Sequence, residues 1–92
     1  MRAADINLSR IVGTNPEQYD AIGPDGKIIG YLRLRHGAFS VSCPGCDGEV
    51  IMRASPHGDG EFLPSERDIY LSAARVAIAA WHNGDRINGK AA

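Results

Sequence analysis

The sequence predicts a single α+β domain in which an antiparallel, four-stranded β-meander packs on one C-terminal amphipathic α-helix. Three observations predict it. A chain of 92 residues has room for one hydrophobic core. Residues 18–54 alternate apolar and polar side chains between turn-forming segments, as strands do, and residues 65–83 carry apolar side chains at helical spacing. An apolar fraction of 43% and a charged fraction of 23% are ordinary for a globular protein.

The two ends of the chain are predicted to be less ordered than its centre. Residues 1–15 are expected to form a loose N-terminal arm, because their few apolar residues lie only loosely at helical spacing before Pro16 ends the segment. Residues 85–92 are expected to fray because they lack an apolar pattern.

A tight turn at residues 24–27, Pro-Asp-Gly-Lys, is predicted to join the first two strands of the meander, because β-type runs flank it on both sides. Proline suits the second position of such a turn, and glycine can take the positive φ that it needs. The strand that follows, residues 27–36, has the period of two of a half-buried strand. Its core face is predicted to carry Ile28, Gly30, Leu32 and Leu34, and its open face Ile29, Tyr31, Arg33 and Arg35.

Two further turns extend the meander. His36-Gly37 leads into a strand that alternates Phe39, Val41 and Cys43 with serines, and residues 44–48 lead into the last strand. Sequential strands joined by short turns pair antiparallel and commonly leave one sheet face to solvent. The other face needs a partner element.

The C-terminal helix, residues 65–83, is that element. Ser65 suits the N-cap position, and Asn83-Gly84 is a stop signal. We expect one apolar stripe to pack on the sheet, formed by Ile69, Ala73, Val76, Ala77 and Ala80 and widened by Tyr70, Ala74 and Trp81.

Leu71 and Ile78 extend the apolar arc of this helix beyond what one sheet face is expected to bury. The N-terminal arm or another chain should then cover them. A homodimer through Leu71 and Ile78 is one such arrangement.

Cys43 and Cys46 form a C-x-x-C motif on a tight turn, which resembles the knuckle of zinc ribbons. A structural zinc takes four ligands, so His57 with His36, or cysteines of a second subunit, would have to complete the site. Cys43, Cys46 and His57 are therefore candidate zinc ligands. The alternative is that no cofactor binds, with Cys43 packed as a small apolar residue and Cys46 in a turn. Redox chemistry is disfavoured because the motif joins two strands instead of opening a helix.

Charge and the remaining motifs narrow the function classes. His36, His57 and His82 fall on a turn, a loop and a helix, and nothing predicts a nucleophile beside any of them, so we expect no enzyme.

The net charge of −1 produces no overall electrostatic field that would attract the protein to nucleic acid or to an acidic membrane surface. No apolar run approaches the ~18 residues of a membrane span, and a cytoplasmic location is expected.

The open sheet face carries the most suggestive side chains, which are Tyr31, Arg33, Arg35 and Arg53. Arginines on a flat sheet can bind carboxylates of a protein partner, or contact phosphates while the aromatic ring stacks on bases. They are also common on solvated strands, where they pair with nearby acids such as Glu49. A partner-binding face, a nucleic-acid-binding face and an ordinary solvated face therefore remain open.

Residues 24–41, PDGKIIGYLRLRHGAFSV, resemble short accessory proteins encoded by phages and prophages, a group that includes anti-CRISPR inhibitors. The resemblance implies a stoichiometric inhibitor that blocks a host defence complex, for example a CRISPR effector, in the cytoplasm of the host cell. The DNA mimics of that group are strongly acidic, so a net charge of −1 favours occlusion of a protein surface instead.

Overall fold

Five strands and one long helix form the protein in a computed structural model that describes residues 1–13 and 16–84. A short 3-10 helix, Ala3–Asp5, comes first. The strands are β1 Asn7–Arg10, β2 Glu17–Ile22, β3 Ile28–Arg35, β4 Ala38–Cys43 and β5 Glu49–Ala54, and the helix is α1 Pro64–His82. The predicted tail, residues 85–92, lies outside the described residues.

The sheet is an antiparallel meander in the order β1-β2-β3-β4-β5, with α1 across one face. The predicted α+β class is confirmed, but four strands was wrong. Part of the predicted N-terminal arm is β1, in which Leu8 pairs with Ala21, and Ile6 just before it is 3% exposed. Four residues are too few to show a period of two, so only pairing with β2 reveals this strand.

The hairpin between β2 and β3 turns where the sequence predicts. The N–H of Gly26 donates to the carbonyl of Gly23 at 3.0 Å, and Gly26 has a φ of 85°. The pairing of β2 with β3 is irregular after Ala21. As a result, Ile28 and Ile29 lie on the opposite faces of the sheet from those predicted. Ile28 is 55% exposed, whereas Ile29 packs against the core.

The helix packs on the sheet through a different face from the predicted stripe. Ile78 is fully buried and Leu71 is 8% exposed, whereas Ile69 is 68% and Val76 60% exposed. The predicted stripe was therefore wrong. The three residues that were predicted to widen the stripe do contact the core: Ala74 is buried, and Tyr70 and Trp81 are partly buried against it.

Two tertiary features set this rotation of α1. Gly30 leaves room for Ile78, because a Cβ at Gly30 would lie 2.9 Å from Ile78 Cδ1. At the other end, Phe39, Phe62 and Tyr70 form an aromatic cluster with ring centroids 5.0–6.0 Å apart. Leu71 and Ile78 therefore face the sheet, and the homodimer surface predicted through them is not exposed.

Candidate binding face

The open face of the sheet is the side that α1 leaves uncovered. In the strand register, Arg33 lies between Gln18 on β2 and Ser40 on β4, and Ser40 in turn pairs with Arg53 on β5. Arg35 lies at the end of β3, two residues beyond Arg33 on the same face. The register thus brings the predicted arginines onto one surface.

Tyr31 lies beside Arg33 on this face, but its side chain is partly buried. Its hydroxyl donates a hydrogen bond to the Gln18 side-chain oxygen. Burial raises the pKa of Tyr31; the neighbouring Arg33 opposes this shift, and Cys46 and Asp20 add to it. The phenol is therefore neutral at pH 7 and held by the sheet.

Arg33, Arg35 and Arg53 are exposed, and the ion pairs formed among residues 1–13 and 16–84 belong to other arginines. Glu49, the acid expected to neutralise this face, lies elsewhere. Its carboxylate accepts a hydrogen bond from Trp81 Nε1 at 3.1 Å, on the side of the sheet that α1 covers. Among residues 1–13 and 16–84, Arg33, Arg35 and Arg53 thus form no ion pair with a carboxylate.

A groove of about 560 Å³ opens at the end of this face where β3 turns into β4. Arg33, Arg35 and His36 line one side, and the loop containing Asp59 and Gly60 lines the other. His36 adopts a left-handed conformation, with a φ of 54°, where the chain turns. The groove thus brings two guanidinium groups and an imidazole together in a concave site.

A buried carboxylate fixes the loop that walls this groove. The Glu17 side chain is fully buried and accepts hydrogen bonds from the Tyr19 hydroxyl, from Phe62 N–H at 3.0 Å and from Arg67 Nε at 2.9 Å. Glu17 N–H also donates to the Gly60 carbonyl at 2.7 Å. Burial alone would raise the pKa of Glu17, but hydrogen bonds from Arg67, Tyr19 and Phe62 hold it below its ordinary value.

Glu66 organises the same loop from the helix side. Its carboxylate accepts hydrogen bonds from the N–H groups of His57, Gly58 and Leu63, at 2.8 to 2.9 Å. Burial opposes the charge, but these backbone donors lower the pKa of Glu66. The helix begins at Pro64, so the N-cap predicted at Ser65 was wrong.

Neither buried carboxylate was identified from the sequence. Glu66 is three residues after the N-cap, but that N-cap is Leu63, so the Ser/Thr-x-x-Glu signature of a capping box is absent at this helix start. Glu17 had no local signal either, since its partner Arg67 is 50 residues away.

A second hollow, of about 430 Å³, opens on the open face at its opposite end, beside the turn between β4 and β5. Ile28, Pro44 and Cys46 contribute to its lining, together with the carboxylates Asp20 and Asp47. This end is therefore anionic and partly apolar, in contrast to the groove beside His36.

The predicted zinc ligands are not brought together. Cys43 is fully buried, as the alternative predicted, and Cys46 is exposed in the turn. Cys43 pairs with Glu49 near the end of α1, whereas His57 binds Glu66 near its start. Within the described chain no group of three or more His, Cys, Asp or Glu residues could hold a metal ion.

His82 has a structural role, since its Nε2 lies 2.7 Å from the Ile29 carbonyl oxygen and its ring packs edge-on against Trp81.

Residues 1–13 and 16–84 include no helix with both the length and the apolar content to cross a membrane.

Comparisons with known proteins gave no match: no family model, no curated protein and no solved structure matches the chain. The open face and its two hollows are therefore the features from which a function can be inferred.

Proposed function

We propose that this protein is a non-enzymatic binding protein whose open sheet face docks on an acidic surface of a protein partner. One observation carries the proposal: Arg33, Arg35 and Arg53 are exposed together on a face that α1 leaves uncovered, with no ion-pair partner in the described part of the chain. Guanidinium groups bind carboxylates in a bidentate geometry and are among the residues enriched at protein interfaces.

The spacing of these arginines suits a protein surface. Arg33 and Arg53 are two strands apart, which is about 10 Å at the usual strand separation. Arg33 and Arg35 are two residues apart along β3, or about 7 Å. Acidic side chains on a helix or strand of a partner can pair with three arginines at these distances. A charge pair that is removed from water at the interface stabilises the complex more than a pair at the rim does.

Occlusion of a partner's surface is the mode of action that this proposal implies, with Tyr31, Arg33, Arg35 and Arg53 as the contact residues. A phage-type inhibitor of a host defence complex, such as a CRISPR effector, would act in this way. That identity stays a prediction, since it depends on the resemblance of residues 24–41 alone.

A nucleic-acid-binding module using the same face has weaker support. Asp20 pairs with Tyr31 on the open face, and Asp59 lines the groove with the arginines, so phosphates would meet carboxylates as well. Tyr31 is partly buried and bonded to Gln18, which limits its use as a stacking platform.

The test is a double charge reversal, Arg33→Glu with Arg35→Glu, in the full chain. The wild type and the double variant are used as baits in one host lysate, and the wild type should retain a partner that the double variant loses. Each 1.4 kcal/mol of binding free energy lost with these charge pairs weakens the affinity about tenfold. Arg2→Glu is the matched control, since the Arg2 side chain is 83% exposed and lies away from the face.

Equal retention by the double variant would refute the assignment of the face. A labelled single-stranded oligonucleotide, titrated at low and high salt, gives the second measurement. Tight binding that falls steeply with salt and disappears in the double variant would instead favour the nucleic-acid module.

A further inference from the structure

The open face has opposite charge at its two ends. The groove beside His36 carries Arg33 and Arg35, and the hollow beside Cys46 carries Asp20 and Asp47. Both depressions lie on the same side of the sheet, so one ligand lying along β3 reaches both.

The distance between the two ends sets the length of such a ligand. Strand β3 runs from Ile28, in the hollow, to Arg35, in the groove. Seven steps of about 3.3 Å separate them, or roughly 23 Å. An extended peptide of about eight residues spans this length.

Each end selects a different side chain. In the groove, the guanidinium groups of Arg33 and Arg35 outnumber Asp59, the one carboxylate among the described lining residues, and match a carboxylate of the ligand. In the hollow, Ile28 offers an apolar surface that is 55% exposed, beside Asp20 and Asp47. A lysine or arginine fits this combination, because its aliphatic stem covers apolar surface while its charged head meets a carboxylate.

We infer that the partner contributes an extended segment of about eight residues, with an acidic side chain in the groove beside His36 and a lysine or arginine in the hollow beside Cys46. The inference rests on the proposed function and specifies the chemistry of the partner. Complementary charge at both ends fixes the direction in which the segment lies, which a uniformly basic face would not do.

Other occupants fit less well. A nucleic acid strand is anionic along its whole length, so it would place phosphates against Asp20 and Asp47. A second copy of the chain would present the same two depressions in place of protruding side chains, and two facing depressions leave unfilled space at the contact.

The experiment is a selection from a displayed library of random octapeptides on the full-length protein and on two variants that each reverse the charge of one end, Arg33→Glu with Arg35→Glu in the groove and Asp20→Lys with Asp47→Lys in the hollow. The wild type should enrich peptides with Asp or Glu at one end and Lys or Arg at the other. The groove variant should enrich peptides with Lys or Arg at both ends, and the hollow variant should enrich peptides with Asp or Glu at both ends. Asp68→Lys, on the exposed side of α1, is the control and should select as the wild type does. Circular dichroism melts check that each variant folds.

The outcomes separate this inference from the proposed function. Each of these two variants reverses the charge of one end and leaves the other end unchanged. If the groove variant changes the selected charges and the hollow variant does not, the inference fails while the binding face stands. If neither variant changes the selection, both fail. Selection of uniformly acidic peptides by the wild type, or a wild-type dimer by light scattering that Arg35→Glu dissociates, also overturns the inference.

Discussion

Replacing Glu17 with glutamine should strongly destabilise the protein. Glu17→Gln keeps the size of the side chain but puts an NH₂ group where one carboxylate oxygen accepts from the Tyr19 hydroxyl and Arg67 Nε. Two charge-assisted hydrogen bonds at about 1.5 kcal/mol each give a loss of about 3 kcal/mol. The bonds from Phe62 N–H and Arg67 Nη2 go to the other oxygen and can persist.

Urea denaturation at pH 7 measures this loss, and a fall in melting temperature of about 12–24 °C accompanies it in a domain of this size. Glu61→Gln is the control, because the Glu61 side chain is 70% exposed and pairs with Arg10 at the surface. It should change the free energy of unfolding by less than about 0.5 kcal/mol.

The same carboxylate predicts how stability depends on pH. The pKa of Glu17 is lowered in the folded protein from an ordinary value of 4.5. Its contribution is therefore present above about pH 4.5 and is lost as the pH falls through the folded pKa. The difference between wild type and Glu17→Gln should shrink in acid. A constant difference from pH 7 to roughly pH 3, or a loss below about 0.5 kcal/mol at pH 7, would refute the reasoning.

Three further predictions concern the core and the thiols. Ile78→Ala should cost about 2–5 kcal/mol of unfolding free energy, whereas Ile69→Ala should cost little because Ile69 is 68% exposed; equal losses in urea would contradict the observed rotation of α1. Gly30→Ala should destabilise by about 1–3 kcal/mol, and by less in an Ile78→Val background that removes Cδ1; additive losses in the double-mutant cycle would count against this contact. Cys46 should react with a thiol reagent in the native protein and Cys43 only after unfolding; two equally fast thiols would disprove the burial of Cys43.

Local patterns predicted much of the sheet. The Pro-Asp-Gly turn, the buried Leu32 and Leu34, and the exposed Arg33 and Arg35 follow from turn chemistry and a period of two. These signals need only neighbouring residues. The arginine part of the candidate face was therefore found from the sequence.

The groove beside His36 was not found, because its wall comes from far along the chain. Asp59 and Gly60 reach the face only because Glu17 and Glu66 hold their loop. The hollow beside Cys46 was missed for a related reason, since the register shift at the start of β3 moves Ile28 onto the open face.

By itself the sequence determined the α+β class, the meander and the face on which the arginines lie, because turns and alternation act over a few residues. Tertiary structure decided which side of α1 is buried. Apolar residues lie on both sides of that helix, so its periodicity does not choose between Ile69 and Ile78. The choice depends on shape: the space above Gly30 accepts Ile78, and the aromatic cluster of Phe39, Phe62 and Tyr70 sets the rotation at the other end.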